Sequence, residues 1–255
     1  FNFDGLYNEY RYKQTPFAQW RELYLAGKLN AAQEQFFKSR PAETLYDLSS
    51  DPDEVKNLAS DPAHQKTLLE LRALLQKRIK GMPDLSFYPE PVFLKIATDN
   101  PVAFGQKHKS EIAKLIEIAD LSLKIFEEAK ERIAAAFDSK NPWERYWGLI
   151  VCSTFGKQAA PFYEQAKKLA ADDAEPLVRT RAAEFLGLTG QLDPRPVLTE
   201  ILNATEDHIL ANLILNTVVV LQDSKPGYKF NASKLTASWV NNKKAEVASR
   251  VLYLK

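Results

Sequence analysis

The chain has 255 residues, enough for one large core or two modest ones, and its 45% hydrophobic and 26% charged content is that of a globular chain, not a disordered one. A formal net charge of +1, with Lys and Arg spread throughout, gives no basic stripe for nucleic acid and no acidic tail; no apolar run approaches the ~20 residues that a membrane span needs. Cys152 is the single cysteine, which excludes an intramolecular disulfide and a thiolate metal cluster.

The chain opens on Phe1, and its one methionine is Met82, so the N-terminus is expected to arise by processing or to lie inside a longer protein. Residues 1–59 are rich in aromatics, among them Phe1, Phe3, Tyr7, Tyr10, Tyr12, Phe17, Trp20, Tyr24, Phe36 and Phe37. Thr15-Pro16 reads as an N-cap followed by the first helical position, opening a helix that stops at Gly27. A second short helix is expected from Asn30 to Phe37, packing Ala32, Phe36 and Phe37 inward. Thr44 to Leu48 alternates as a strand with Tyr46 and Leu48 on one face. Asp51 is placed to cap the next turn with Pro52 and Glu54 in a capping-box arrangement, so capping is the expected role of Asp51, Asp53 and Glu54 in preference to a calcium loop, which lacks its glycine and distal acid. Asp61-Pro62 repeats the device and opens a helix to Lys80, closed by Gly81, with Leu68, Leu71, Leu75 and Ile79 as its buried stripe.

Residues 82–109 carry Pro83, Pro89, Pro91 and Pro101, too many breakers for a regular element. They read as a connector lying over a surface through Leu85, Phe87, Tyr88, Val92 and Phe93. From Ser110 the pattern becomes helical. Ile112, Ile116, Ala119, Leu123, Phe126, Ile133 and Phe137 form one seam, with a break placed at Asp120 to Ser122. An internal repeat follows: Pro142, Arg145, Gly148, Leu149, Val151, Cys152 and Gly156 recur 34 positions later as Pro176, Arg179, Ala182, Ala183, Phe185, Leu186 and Gly190. A looser copy begins near His208, and Lys244 to Tyr253 would start a fourth. The partner helices are expected at Pro161–Ala170, Pro196–Asn203 and Ala232–Val240. A period in the thirties built of helix pairs means an α-solenoid, and the short helices with Arg179 and Arg181 look like HEAT repeats.

The segments Gly27-Lys28-Leu29-Asn30-Ala31-Ala32-Gln33, Pro41-Ala42-Glu43-Thr44-Leu45-Tyr46-Asp47-Leu48 and Asp51-Pro52-Asp53-Glu54-Val55-Lys56-Asn57-Leu58-Ala59 resemble the tail of the sulfatases, where a strand reading ELYDL is followed by DPxExxNLA and a long helix. The likeness is strongest from Pro16 to Ala59 and runs on more weakly through Glu90-Pro91 and Lys114 to Asp120. It is similar to a bacterial, heparan-sulfatase-like subgroup with an added helical-repeat tail, in which Phe1-Asn2-Phe3 would end a strand reading YIxNF. The resemblance implies a mainly α fold: a small α+β sulfatase C-terminal subdomain at 1–81, the proline-rich connector at 82–109, and a HEAT-like α-solenoid at 110–255. It implies a missing upstream catalytic domain as partner, with calcium and formylglycine as that domain's cofactors, sulfated polysaccharide as substrate, and a periplasmic or secreted location.

The family's nucleophile arises from the first residue of Cys/Ser-x-Pro-x-Arg. Cys152 is followed by Ser153, Thr154, Phe155 and Gly156, and no serine opens the motif either, so no catalytic residue and no cofactor are expected in this chain. His64, His108 and His208 have no metal-ligand spacing and read as partly exposed surface residues; no metal site is expected. Tyr10-Arg11-Tyr12-Lys13 alternates rings with cations, which suits an anionic sugar, and marks a substrate-rim candidate. Two alternatives stand beside the sulfatase reading: a non-enzymatic helical-repeat interaction scaffold, and a glycan-binding module. Neither nucleic acid nor a membrane is an expected partner.

Overall fold

The computed structural model describes residues 9–241 and 245–254. Phe1, Phe3 and Tyr7, the Phe1-Asn2-Phe3 strand end and Lys244 lie outside the described residues. The chain is mainly α-helical and divides into two compact units, residues 1–78 and residues 79–255.

In the first unit α1 (Glu9–Tyr12) leads into α2 (Thr15–Leu25). The N-cap of α2 is Gln14, one position before the expected Thr15, and its side chain closes no cap bond. The helix ends as expected at Gly27, whose φ of 64° lets the Lys28 amide reach back to the Leu23 carbonyl at 2.9 Å. Asn30 and Gln33 form a reciprocal capping box that starts α3 (Ala31–Glu34), and a 3₁₀ turn carries the chain on through Phe37. The rings of the two segments meet: Trp20 stacks on Phe36 at 4.7 Å, Tyr24 stacks on Phe37 at 4.4 Å, and Phe37 stands edge-on to Trp20.

No β-strand occurs among the described residues, so Thr44 to Leu48 is a correction. The segment is irregular and turns at Leu48 to Ser50. Its alternation was genuine, but a strand needs a ladder, and Leu45 finds its partners elsewhere. The Leu45 amide donates to Asn57 Oδ1 at 3.0 Å, and its carbonyl accepts from the Leu58 amide at 2.8 Å. The capping box expected at Asp51 is also corrected. The Asp51 carboxylate accepts from the Val55 and Lys56 amides, and the loop bends through Glu54 at a φ of 54° instead of entering a helix. Asp61 does cap, accepting from the Ala63 amide, and a 3₁₀ turn over Pro62–His64 runs into α4 (Gln65–Gly81). Among the described residues of this unit, Leu58 and Leu68 are the buried apolar side chains, whereas Leu71 and Leu75 stay 49% and 58% exposed. Periodicity shows which leucines of α4 share a face, and not whether anything covers them.

The second unit holds the large core. Two short helices, α5 (Glu90–Ile96) and α6 (Pro101–Lys107), occupy the segment expected to lack regular structure. Their prolines sit in the first turn, where no amide is needed, so proline density there starts helices as well as breaking them. The expected seam splits at the expected place: α7 (Lys109–Ala119) and α8 (Phe126–Phe137) flank a 3₁₀ turn at Asp120–Leu123. Then come α9 (Pro142–Phe155), α10 (Tyr163–Asp172), α11 (Pro176–Thr189), α12 (Arg195–Ala204), α13 (His208–Asp223) and α14 (Ala245–Tyr253). Asn141, Glu175 and Asp207 each accept an amide bond at the start of α9, α11 and α13.

The packing follows the chain. α9 lies against α7 and α11, α11 against α13, and α13 against α14, while α8, α10 and α12 pack beside this row. Gly148 on α9 permits the close approach of α8, since a β-carbon there would stand 2.9 Å from the Phe137 ring. The partner helix expected at Ala232–Val240 is two 3₁₀ turns, Ala232–Lys234 and Ser238–Asn241. Side chains take over the backbone bonds a helix would make: Asn231 accepts from the Ser233 amide, and Asn203 donates to the Lys234 carbonyl and accepts from the Thr236 amide. Trp239, buried, donates to the Leu202 and Thr205 carbonyls and fixes the turn against α12.

Candidate functional site

The stretch of residues 40–59 that resembles the sulfatase tail folds as a set of short loops tied by their own polar side chains. Asp47 accepts from the Ser49 amide and from the Ser49 and Ser50 hydroxyls, and those bonds hold its carboxyl below the usual carboxylate range. Asp51 turns the next loop, and Asn57 Oδ1 joins the two by accepting from both Leu45 and Ala59. Arg72 on α4 grips Glu43 with Nε and Nη2, and Gln35 reaches the Val55 carbonyl at 2.8 Å. The motif's acids and amides are therefore mostly backbone partners.

Two acids escape that role. The side chains of Asp53 and Glu54 make no hydrogen bond or ion pair with the described residues, and both residues line a cavity of about 650 Å³. Trp20, Phe36 and Tyr46 supply ring surface to the same cavity, with Lys38, Arg40, Thr44 and Asn57 among its polar lining. Lys38 is already engaged by Glu34. The wall thus sets flat rings among mixed donors and acceptors.

The rim candidates lie in the same unit. Arg11 places its guanidinium 5.3 Å from the centre of the Phe36 ring and 6.0 Å from that of Phe17. Arg21 stands over the Tyr12 ring at 5.4 Å. Lys13 is exposed, and the Tyr10 side chain lies outside the described residues. Arg11 and Tyr12 thus join the aromatic cluster, and none of the four lines the cavity. Arg40, Tyr46, Asp53 and Glu54 were not foreseen as site residues. The signal available in the sequence was that two acids in one short loop exceed what a single cap consumes.

In the second unit the titratable groups form structural ties. His108 Nδ1 pairs with Glu111 at 3.2 Å, its ring stacks on Phe104, and Asn141 donates to the other Glu111 oxygen. Burial, with Glu111 beside it, pushes the Tyr88 hydroxyl well above the ordinary tyrosine value. His64 and His208 are, like His108, half-buried. Cys152 is fully buried, and burial pushes its thiol far up, out of the range where a thiolate forms. Among the described residues, no three His, Cys, Asp or Glu side chains gather to hold a metal ion. No helix of the described residues is long and apolar enough to cross a membrane.

No family model and no solved structure matches the chain. Over 83 residues, 32% of its length, it is 39% identical to the ulvan-active sulfatase of Formosa agariphila, and that match spans 14% of the relative. The chain therefore holds a sulfatase-related region that corresponds to a small part of that longer protein.

Proposed function

We propose that this chain is the C-terminal part of a sulfatase that removes sulfate from a sulfated polysaccharide, in which the lobe of residues 1–81 completes a hydrolase body. The observation that carries the reading is the 39% identity over 83 residues with a sulfatase. The loop bonds of Asp47, Asp51 and Asn57 support it by giving the TLYDL and DPxExxNLA segments a shared physical purpose. Sulfate-ester hydrolysis then belongs to a catalytic domain outside this chain, which brings the formylglycine nucleophile and the calcium ion. Ulvan, named for the relative, is the first substrate to try, and a periplasmic or secreted location is part of the proposal.

Residues 110–255 are, in this reading, a HEAT-like helical-repeat extension. Its support is the row α7, α9, α11, α13, α14 and the bonds between successive copies at about one repeat spacing. Thr217 meets Glu184 33 residues away, Arg250 meets Asn216 34 away, and Arg181 meets Tyr146 35 away. The Tyr10-to-Lys13 edge remains a proposed substrate rim.

A second reading, a non-enzymatic interaction scaffold, is favoured by one observation: the largest fully buried side chains of the described residues all lie in residues 79–255. The coding sequence upstream decides between the two. A Cys/Ser-x-Pro-x-Arg motif in frame is the expected finding; its absence sinks the sulfatase reading and leaves the scaffold.

A further inference from the structure

We infer that the cavity among Trp20, Arg40, Tyr46, Asp53, Glu54 and Asn57 is a saccharide-binding site that holds one or two sugar units by their hydroxyls. The inference shares the carbohydrate part of the proposed function and needs none of its sulfatase chemistry. At about 650 Å³ the cavity falls within the range of small-ligand sites.

The chemistry of the wall chooses the ligand. Asp53 and Glu54 are acceptors without partners among the described residues, so they call for O–H or N–H donors. Asn57 spends its Oδ1 on the Leu45 and Ala59 amides, which leaves its Nδ2 as the donor to a ligand. The Tyr46 hydroxyl makes no hydrogen bond with the described residues and both gives and accepts. Ring surface from Trp20 and Tyr46 suits the flat apolar face of a pyranose. A bare sulfate or phosphate would face two carboxylates and is disfavoured, whereas a sugar meets acceptors, donors and rings together. Arg40 also lines the cavity.

Glu54 supplies an independent argument. Its φ of 54° is a conformation in which glycine is at ease and a glutamate is strained. Strained backbone of this kind gathers at ligand sites, and here the strained residue lines the cavity. A residue kept only for the turn would work better as glycine. Structural and binding roles thus predict opposite outcomes for one substitution.

The test is calorimetric titration of the full 255-residue chain with ulvan oligosaccharides, the same oligosaccharides chemically desulfated, and sodium sulfate. Both oligosaccharide preparations are expected to bind and sulfate alone is not. Glu54→Gly is expected to raise the thermal midpoint while weakening oligosaccharide binding at least tenfold, and Asp53→Asn to weaken it likewise with the midpoint unchanged. Absence of binding by either oligosaccharide, binding by both variants as tight as by the unaltered chain, or sulfate competing as well as the sugar would each overturn the inference. Failure here, with the upstream nucleophile motif present, removes the saccharide site and leaves the sulfatase reading. Binding without that motif does the reverse.

Discussion

Arg181 and Glu184 offer a quantitative check on the helical array. Glu184 is fully buried and the Arg181 side chain is 12% exposed. The guanidinium gives Nη1 to Glu184 Oε2 at 2.5 Å and Nη2 to the Tyr146 hydroxyl at 2.9 Å, and it lies 5.1 Å from the centre of the Tyr146 ring. Thr217 adds a hydroxyl to the same carboxylate oxygen at 2.8 Å. Arg181→Met keeps the bulk and removes the charge, leaving Glu184 buried with a single neutral donor. Breaking a buried pair from one side costs roughly 3–5 kcal/mol, because the remaining ion is neither solvated nor paired. For a unit of this size, at about 2–4 °C per kcal/mol, the midpoint should fall by roughly 6–20 °C. Removing both charges with Arg181→Met and Glu184→Leu should return stability to about the original level, since apolar replacement of a whole buried pair is commonly neutral or favourable. Urea unfolding followed by Trp143, Trp147 and Trp239 fluorescence reads this unit, the remaining Trp20 lying in the other one. A single variant that loses less than about 1 kcal/mol would refute the reasoning, for the charge could not then be shut away from water.

Other perturbations address the packing and the titrating groups. Gly148→Ala forces a β-carbon to within 2.9 Å of the Phe137 ring and should cost about 1–3 kcal/mol in a thermal melt despite alanine's better helix propensity; a more stable variant would contradict the close α8–α9 contact. Cys152 should resist a thiol reagent in native buffer and react only at the rate of unfolding, and prompt labelling would show that it is reachable. Burial holds the Glu175 carboxyl above its ordinary value, although the Leu177 amide partly offsets this. A raised acid favours its protonated form in the fold, so it detracts from stability at neutral pH and less as pH falls. Glu175→Gln keeps the acceptor for Leu177 and should stabilise the protein at pH 7, with the gain shrinking toward pH 4; a pH-independent change would refute the assignment. Asp47 has the opposite sign: its depressed value contributes stability above the ordinary carboxylate range, lost as pH falls through the folded value, and Asp47→Asn should abolish that acid dependence.

What the sequence made legible was what depends on local pattern. Gly27, the helix start at Asn30, Asp61 and the break at Asp120 act through neighbours a few residues away, and they stand where the pattern put them. The 34-residue spacing likewise located α9 and α11, since each copy carries its own proline start and apolar face. The misses are places where a distant partner decides. Leu45 looks like a strand residue until Asn57 and Leu58 take its backbone groups. Ala232 to Val240 looks helical until Asn203 supplies competing bonds from α12. Leu71 and Leu75 form an apolar stripe that nothing among the described residues covers. At the cavity, Asp53 and Glu54 read as parts of a cap, whereas no helix starts there and Asp51 alone ties the loop through the Val55 and Lys56 amides. Only the backbone path through Glu54 separates the acid that ties the loop from the acids that line the cavity.

Release of inorganic sulfate from ulvan oligosaccharides, compared between the full-length gene product and the 255-residue chain alone, tests the central proposal most directly. Sulfate released by the full-length product, abolished when the first residue of its Cys/Ser-x-Pro-x-Arg motif becomes alanine and absent with the chain alone, is the result expected. Release by the chain alone, or a full-length product with neither the motif nor the activity, would contradict it.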